Sequence, residues 1–391
     1  MKVVVEGNHA AALAAKLCKV QVVPAYPITP STHFPEKISE YVANGELKAE
    51  FILAESEHSA LSACIGASAA GARTCTCTSS QGLALMHELL FIASGMRLPI
   101  IMPVGNRALS SPINIWCDHQ DSISERDSGW LQFYCESNQE VLDFTIMAFK
   151  IAEDANVLLP AMLGLDAFVL THTSEVIEAP EQSEVDKFLP PYKPPFTLDP
   201  KSPKTFGSFS TPEYYMEFKE KTDEAMHRAS EVIDKVFAEF KAMFGREYKK
   251  VKSYCCEDAE IIILTLGTMS GTARMAVSKL RARGEKVGCA SLTVYRPFPS
   301  KELIEVARTA KVLAVVDRNI SLGFAGAVFE DVCSCFVNHS KKPLVLNYIL
   351  GLGGRDVLIK DFELIVESAK KALETNKFKI PEWIGLREEL I

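Results

Sequence analysis

Short β-rich runs alternate with helical stretches twice along this chain, and a segment broken by prolines separates the two blocks. Such alternation commits a chain to parallel sheets covered by helices, because parallel neighbours need a crossover and the crossover is usually a helix. In the first block strands are expected at 3–5, 20–25, 49–53, 74–78, 100–104 and 157–163, with helices over 9–18, 34–44, 56–70, 83–94 and 139–155. The second block predicts strands at 261–266, 287–294, 312–316 and 344–349, and helices at 271–282, 301–309, 325–336 and 361–374. Between them Pro180, Pro190, Pro191, Pro194, Pro195, Pro200, Pro203 and Pro212 interrupt any regular ladder. This stretch also carries Phe188, Tyr192, Phe196, Phe206 and Phe209, which predicts an arm laid on a surface, with 182–211 wrapping a partner. Residues 212–249 are charged and helical in period and read as a long bridging helix. The expected division is 1–175, an arm and bridging helix over 176–255, a smaller α/β domain over 256–376, and a docking tail over 377–391.

Charge and cysteine spacing remove several classes of function. Lys and Arg total 42 against 50 Asp and Glu, a net charge of -8, so no cationic surplus drives binding to nucleic acid. No apolar run approaches the roughly 18 residues of a membrane span, and the expectation is a soluble cytoplasmic protein without a membrane contact. The chain has 11 cysteines. One residue separates Cys75 from Cys77 and Cys333 from Cys335, and Cys255 adjoins Cys256, whereas zinc and iron–sulfur sites usually place two to four residues between paired ligands. The thiols are therefore expected as small core hydrophobes, and any cluster is expected on another chain. No Walker lysine loop or GxSxG elbow is present, and Gly351-Leu352-Gly353-Gly354 reads as a turn needing positive φ.

The residues suited to chemistry sit just beyond strands, where open α/β sheets collect ligands. Thr29, between Pro27 and Pro30, is placed to donate to a substrate carboxylate; the alternative is that Thr29 or Ser31 caps the next helix. Glu55 and Glu57 open a helix rich in Ala, Ser and Gly. The helix dipole alone favours carboxylates there, but the small residues also let a planar ring approach. Arg107 has the fork geometry for a carboxylate, with a surface salt bridge as its alternative. Asp118, His119 and Asp121 offer metal-ligating atoms, although three polar residues this close more often form a hydrogen-bonded turn.

Residues 26–32, 55–59, 78–82, Arg107, 118–121, 124–130, 295–299 and 351–355 together resemble the α subunit of the 2-oxoacid:ferredoxin oxidoreductases, most closely the pyruvate class, over nearly the whole chain. The resemblance implies a pyrimidine-binding domain of thiamine-diphosphate enzymes, a parallel sheet flanked by helices, followed by a smaller α/β domain like the transketolase C-terminal domain. It implies that Glu57 hydrogen-bonds the aminopyrimidine of thiamine diphosphate and favours its imino tautomer, and that Thr29 and Arg107 hold the substrate carboxylate. It further implies coenzyme A as co-substrate, Mg2+ and [4Fe-4S] clusters on partner chains, β, γ and δ subunits, and ferredoxin as electron partner. The expected substrate order is pyruvate, then 2-oxoisovalerate, then 2-oxoglutarate. Two other readings stay open: the β subunit of a 2-oxoacid dehydrogenase, and a non-catalytic scaffold.

Overall fold

Two prolines shape the first sheet. The computed structural model describes residues 1–390; Ile391, the end of the expected docking tail, lies outside the described residues. The first block forms β1 (Lys2–Val5), α1 (Gly7–Leu17), β2 (Val22–Ala25), α2 (His33–Ala43), β3 (Glu50–Leu53), α3 (Glu57–Ala69), α4 (Ser80–Leu85), α5 (His87–Gly95), β4 (Ile101–Asn106), α6 (Gln120–Ser124), β5 (Leu131–Tyr134), α7 (Asn138–Ala152) and β6 (Ala161–Asp166). β2 runs parallel to β3, and β6 lies parallel between β4 and β5. Residues 74–78, expected as a strand, lie between β2 and β4 but join them only by single bridges, at Thr74, Cys75 and Thr78. The Ile101 and Gly105 amides donate to the carbonyls of Thr74 and Thr78 at 3.3 and 3.0 Å. The residue between those donors is Pro103, which has no N–H, and Pro24 interrupts β2 in the same way. The order across the sheet is therefore β3, β2, 74–78, β4, β6, β5.

The remaining elements are β7 (Glu175–Glu178), α8 (Gln182–Phe188), α9 (Pro212–Phe244), β8 (Val251–Tyr254), β9 (Ile261–Leu266), α10 (Met269–Arg281), β10 (Val287–Leu292), β11 (Val294–Arg296), α11 (Ser300–Val306), β12 (Val312–Asp317), α12 (Ala327–Phe336), β13 (Leu344–Ile349), α13 (Ile359–Thr375) and β14 (Glu382–Trp383). The second sheet has the order β14-β13-β12-β9-β10-β8, parallel except for β8. β9, β10 and β12 are buried at every residue, which is why they read as unbroken apolar runs rather than alternating ones.

Three expectations are corrected by the packing. The strand at 3–5 stays out of the main sheet, since β1 pairs antiparallel with β7. The expected strand 287–294 is two strands: the chain leaves the second sheet after Leu292, and Val294–Arg296 lies antiparallel on β5 as the edge of the first sheet. The early part of the proline-rich stretch is built into the first core, where Ile177, Val185, Phe188 and Leu189 are buried, while Phe196 and Phe209 further on are exposed. α9 meets the core along one stripe, Ala225, Ala229, Ile233, Val236, Phe237 and Phe240, and ends at Gly245 in the left-handed conformation. All 11 cysteines are free thiols and most are buried. Burial pushes the thiols of Cys18, Cys64, Cys75 and Cys77 up, so they remain uncharged. Among the described residues no helix is long and apolar enough to cross a membrane.

Candidate active site

The carboxyl ends of β3, β2, segment 74–78 and β4 are adjacent, and each delivers one group to a common edge. Glu57 follows β3 as the first residue of α3, whose N-cap Ser56 accepts from the Ser59 amide at 3.2 Å. Glu57 is only 6% exposed, whereas Glu55, which precedes the N-cap and lies outside the helix, is exposed. Among the described residues Glu57 makes no side-chain hydrogen bond and no ion pair. Its carboxylate rests on Gly82: a Cβ there would lie 2.5 Å from Glu57 Oε1 and would also meet Thr78 Oγ1. Thr78 Oγ1 is itself buried without a partner. Glycine thus forms a floor under a largely buried side chain whose carboxylate makes no bond to the protein and a buried hydroxyl that lacks a partner. Leaving the hydroxyl unpaired costs about 1–3 kcal/mol, and a ligand with polar ring atoms could pair with both groups.

Arg107 closes the opposite side. It is 7% exposed, and its guanidinium donates to carbonyls only, Nε to Asn114 at 3.0 Å and Nη1 to Thr29 at 2.9 Å. The salt-bridge alternative is absent among the described residues. Burial lowers the Arg107 pKa, with the nearby Asp121 acting in the other direction. Its positive charge therefore has no bonded counter-ion. The same bond fixes the Thr29 backbone while Thr29 itself remains exposed. Neither Thr29 nor Ser31 caps α2. Ser31 Oγ instead donates to the Thr78 carbonyl at 2.8 Å, bonds Ser79 Oγ at 2.6 Å and accepts from the Gly105 amide at 3.3 Å, tying three strand ends together.

The acidic residues 118–121 hold this edge in place. Asp121 accepts four bonds: from the amides of Ser80 (2.9 Å), Arg107 (3.0 Å) and Ser122 (2.7 Å), and from Asn106 Nδ2 (2.9 Å). Burial raises its pKa to about 6 against the pull of those donors. Asp118 accepts from the Gly353 amide at 3.0 Å, and Asn114, which binds Arg107, donates to the Gly353 carbonyl at 3.0 Å. Gly351, Gly353 and Gly354 have φ of 76°, 60° and 79°, so the glycine run is the expected turn, and its role is to seat the loop carrying Arg107's partner.

His119 lies deeper, in the seam between the sheets. Its Nε2 bonds Asp166 Oδ1 at 2.7 Å, and Asp166 Oδ2 accepts from the Thr268 amide and hydroxyl and from Arg318 Nη1 at 3.1 Å. Burial alone would raise the Asp166 pKa; His119 and Arg318 overcome it and hold the carboxyl below its ordinary range. Cys117, His119 and Asp166 come close enough to share a metal. Asp166 is already saturated and the Arg318 cation sits against it, so these residues form a hydrogen-bonded junction. The 295–299 motif is likewise structural: Tyr295 Oη donates to Asp331 at 2.6 Å and Arg296 pairs with the same carboxylate at 2.9 Å.

The sequence offered Thr78 and Gly82 only as members of a motif. Their one local signal is a run of small hydroxyl residues directly after a strand. Asp166 and Arg318 had no signal at all, because each finds its partner in the other block.

Comparison with known proteins gives consistent matches. A family model described as pyruvate flavodoxin/ferredoxin oxidoreductase, thiamine diphosphate binding, matches residues 13–238, and one for the pyruvate:ferredoxin oxidoreductase core domain II matches 259–362. Pyruvate synthase subunit PorA of Pyrococcus furiosus is 57% identical, covering 99% of this chain and 98% of that protein. Ketoisovalerate oxidoreductase subunit VorA of Pyrococcus horikoshii is 48% identical over 99% of this chain and 98% of its own. Among solved structures, a 2-oxoglutarate:ferredoxin oxidoreductase from Magnetococcus marinus superposes with a TM-score of 0.74 at 21% identity, covering 95% of this chain and 65% of that one. An inactive split-gene transketolase tetramer gives 0.54 at 12% identity, over 95% of this chain and 99% of its own. The two structures share the fold expected from the sequence.

Proposed function

This chain belongs to the pyruvate flavodoxin/ferredoxin oxidoreductase family, and from that premise we propose that it serves as the α subunit of a pyruvate synthase. The overall reaction is pyruvate + CoA + two oxidised ferredoxins giving acetyl-CoA + CO2 + two reduced ferredoxins and a proton, and its reverse fixes CO2. The single observation that carries the assignment of the site is the buried Glu57 carboxylate, unpartnered on the Gly82 floor.

Glu57 holds the aminopyrimidine half of thiamine diphosphate and, as a buried carboxylate at a ring nitrogen, sets its tautomer. Thr78 Oγ1 lies beside it as a second polar group for the same ring. Thiamine diphosphate, when bound, would supply the nucleophilic ring carbon and the electron sink that decarboxylation of a 2-oxoacid needs. Arg107 holds the substrate carboxylate through its uncompensated charge, and Thr29, pinned through its carbonyl, presents its hydroxyl to the same group. The Mg2+, the [4Fe-4S] clusters and the diphosphate half of the site belong to β, γ and δ partners, with ferredoxin and coenzyme A meeting the assembly there. The cytoplasm is the setting these redox partners need. The domains take the boundaries 1–175, 176–255 and 256–376, and the exposed arm beyond residue 190 reaches a partner subunit.

The test is CoA-dependent viologen reduction by the anaerobically purified complex, with pyruvate, 2-oxoisovalerate and 2-oxoglutarate in parallel. Pyruvate is expected to lead. A 2-oxoisovalerate preference moves the substrate and keeps the mechanism, and inactivity of a cluster-replete complex supplied with thiamine diphosphate and Mg2+ overturns the reading.

A further inference from the structure

Three imidazoles and a carboxylate meet where the starts of α1 and α2 approach each other, behind the turn that carries Thr29, and the proposed reaction uses none of them. Glu6 is the N-cap residue of α1, yet its side chain makes no capping bond. It turns instead to His33, the first residue of α2, with Oε1 to Nδ1 at 2.6 Å, and to His9, one turn into α1, at 3.7 Å from Nε2. The ligand atoms of Glu6, His9 and His33 all lie within 4.8 Å of one another. His172, from the loop after β6, places its ring 4.7 Å from that of His33.

From this convergence we propose that Glu6, His9 and His33 form a binding site for a divalent transition metal of the zinc class, with His172 beside it. A tetrahedral centre with bonds of about 2.0–2.1 Å needs ligand atoms roughly 3.3 Å apart, and the present separations of 2.6 and 3.7 Å bracket that edge. Two imidazoles and one carboxylate suit zinc better than Mg2+, which prefers oxygen and keeps its waters. His9 and His33 are 38% and 40% exposed, so an ion has a route in and a solvent molecule can fill the fourth position. Lys37, the nearest lysine along α2, has its charge directed to Glu40 at 2.8 Å. Bound there, the ion joins the starts of α1 and α2. Asn8, between two of the ligands, is buried and donates to the Pro30 carbonyl at 2.8 Å, so the clamp backs the turn that carries Thr29.

The experiment uses the complete complex, purified anaerobically, treated with chelator in the presence of excess Mg2+, and titrated with Zn2+ against a chromophoric competitor. Wild type is expected to bind one more zinc per α chain than the His9→Gln/His33→Gln variant, and zinc is expected to raise the thermal midpoint of wild type only. Glu6→Gln keeps the hydrogen bond to His33 and the shape of the site, so it serves if the double variant does not assemble; its affinity at this site is expected to fall at least tenfold. Equal zinc stoichiometry and affinity in wild type and Glu6→Gln, or an unmoved thermal midpoint in wild type, overturns the proposal and leaves a hydrogen-bonded Glu6–His33 pair.

Discussion

The seam around Asp166 and the floor around Glu57 are both buried and both centred on a carboxylate, and they are finished in opposite ways. Asp166 has His119, Arg318 and Thr268 around it, and those partners hold its charge. Glu57 has a glycine beneath it and an orphan hydroxyl alongside, with no bond from its own chain. Most buried polar groups in folded proteins find a partner, and unpaired atoms occur elsewhere in this chain as well, His119 Nδ1 in the seam among them. What distinguishes Glu57 and Thr78 is that they lie together on a glycine floor at the strand-end edge, where a ligand can reach them.

The largest expected effect tests the closed region. Asp166→Ala strands Arg318 without its partner, and calorimetry of the purified subunit should show a loss of about 3–5 kcal/mol, as for other broken buried pairs. The sign of its pH dependence follows from the lowered pKa. The contribution of Asp166 is present above the ordinary carboxylate value near 4 and fades as pH falls through the depressed folded value. Wild-type stability should thus drop on acidification more steeply than that of the variant, and parallel acid limbs would remove Asp166 from the account.

Glu57→Gln tests the open region and should reverse the pattern. Activity of the complex falls at least ~10²-fold, as when a proton-transfer relay is broken, while the thermal midpoint holds because no bond within the protein is lost. A large drop in midpoint with activity retained would make Glu57 structural and favour the scaffold reading.

Arg107→Lys keeps the charge and loses the fork that serves Asn114 and Thr29 together. Pyruvate KM is expected to rise roughly tenfold, the effect of about 1.4 kcal/mol in binding, with a smaller change in thiamine diphosphate affinity. An unchanged KM takes Arg107 out of the substrate site. The smallest effect sharpens the comparison: Glu55→Gln, two residues from Glu57 but facing solvent, should leave both activity and stability within about 0.5 kcal/mol. A loss comparable to that of Glu57→Gln would mean that Glu55 rather than Glu57 faces the ligand.

Much of this was legible because it is local. The unbroken apolar runs of β9 and β12 announced parallel strands buried on both faces, and the period of 212–249 announced a long helix, found as α9. Strand ends followed by Thr29, Glu57 and Arg107 pointed to one edge. The segment 74–78 shows the limit: its own residues favour a strand, but Pro24 and Pro103 on its neighbours remove the donors a regular ladder needs. The split of 287–294 between two sheets was hidden for a related reason, since nothing within those residues records which strand lies beside them.

Residue type and period, being properties of neighbours in the chain, determined the α/β class, the two blocks and the list of candidate groups. Only tertiary structure decided that Glu57 rather than Glu55 is buried and that Arg107 meets carbonyls instead of a carboxylate. It also decided that His119 and Asp118 brace the two blocks, and that Glu6, His9 and His33 converge. Each of those outcomes depends on distances between residues far apart in sequence, and burial and charge act through space rather than along the chain.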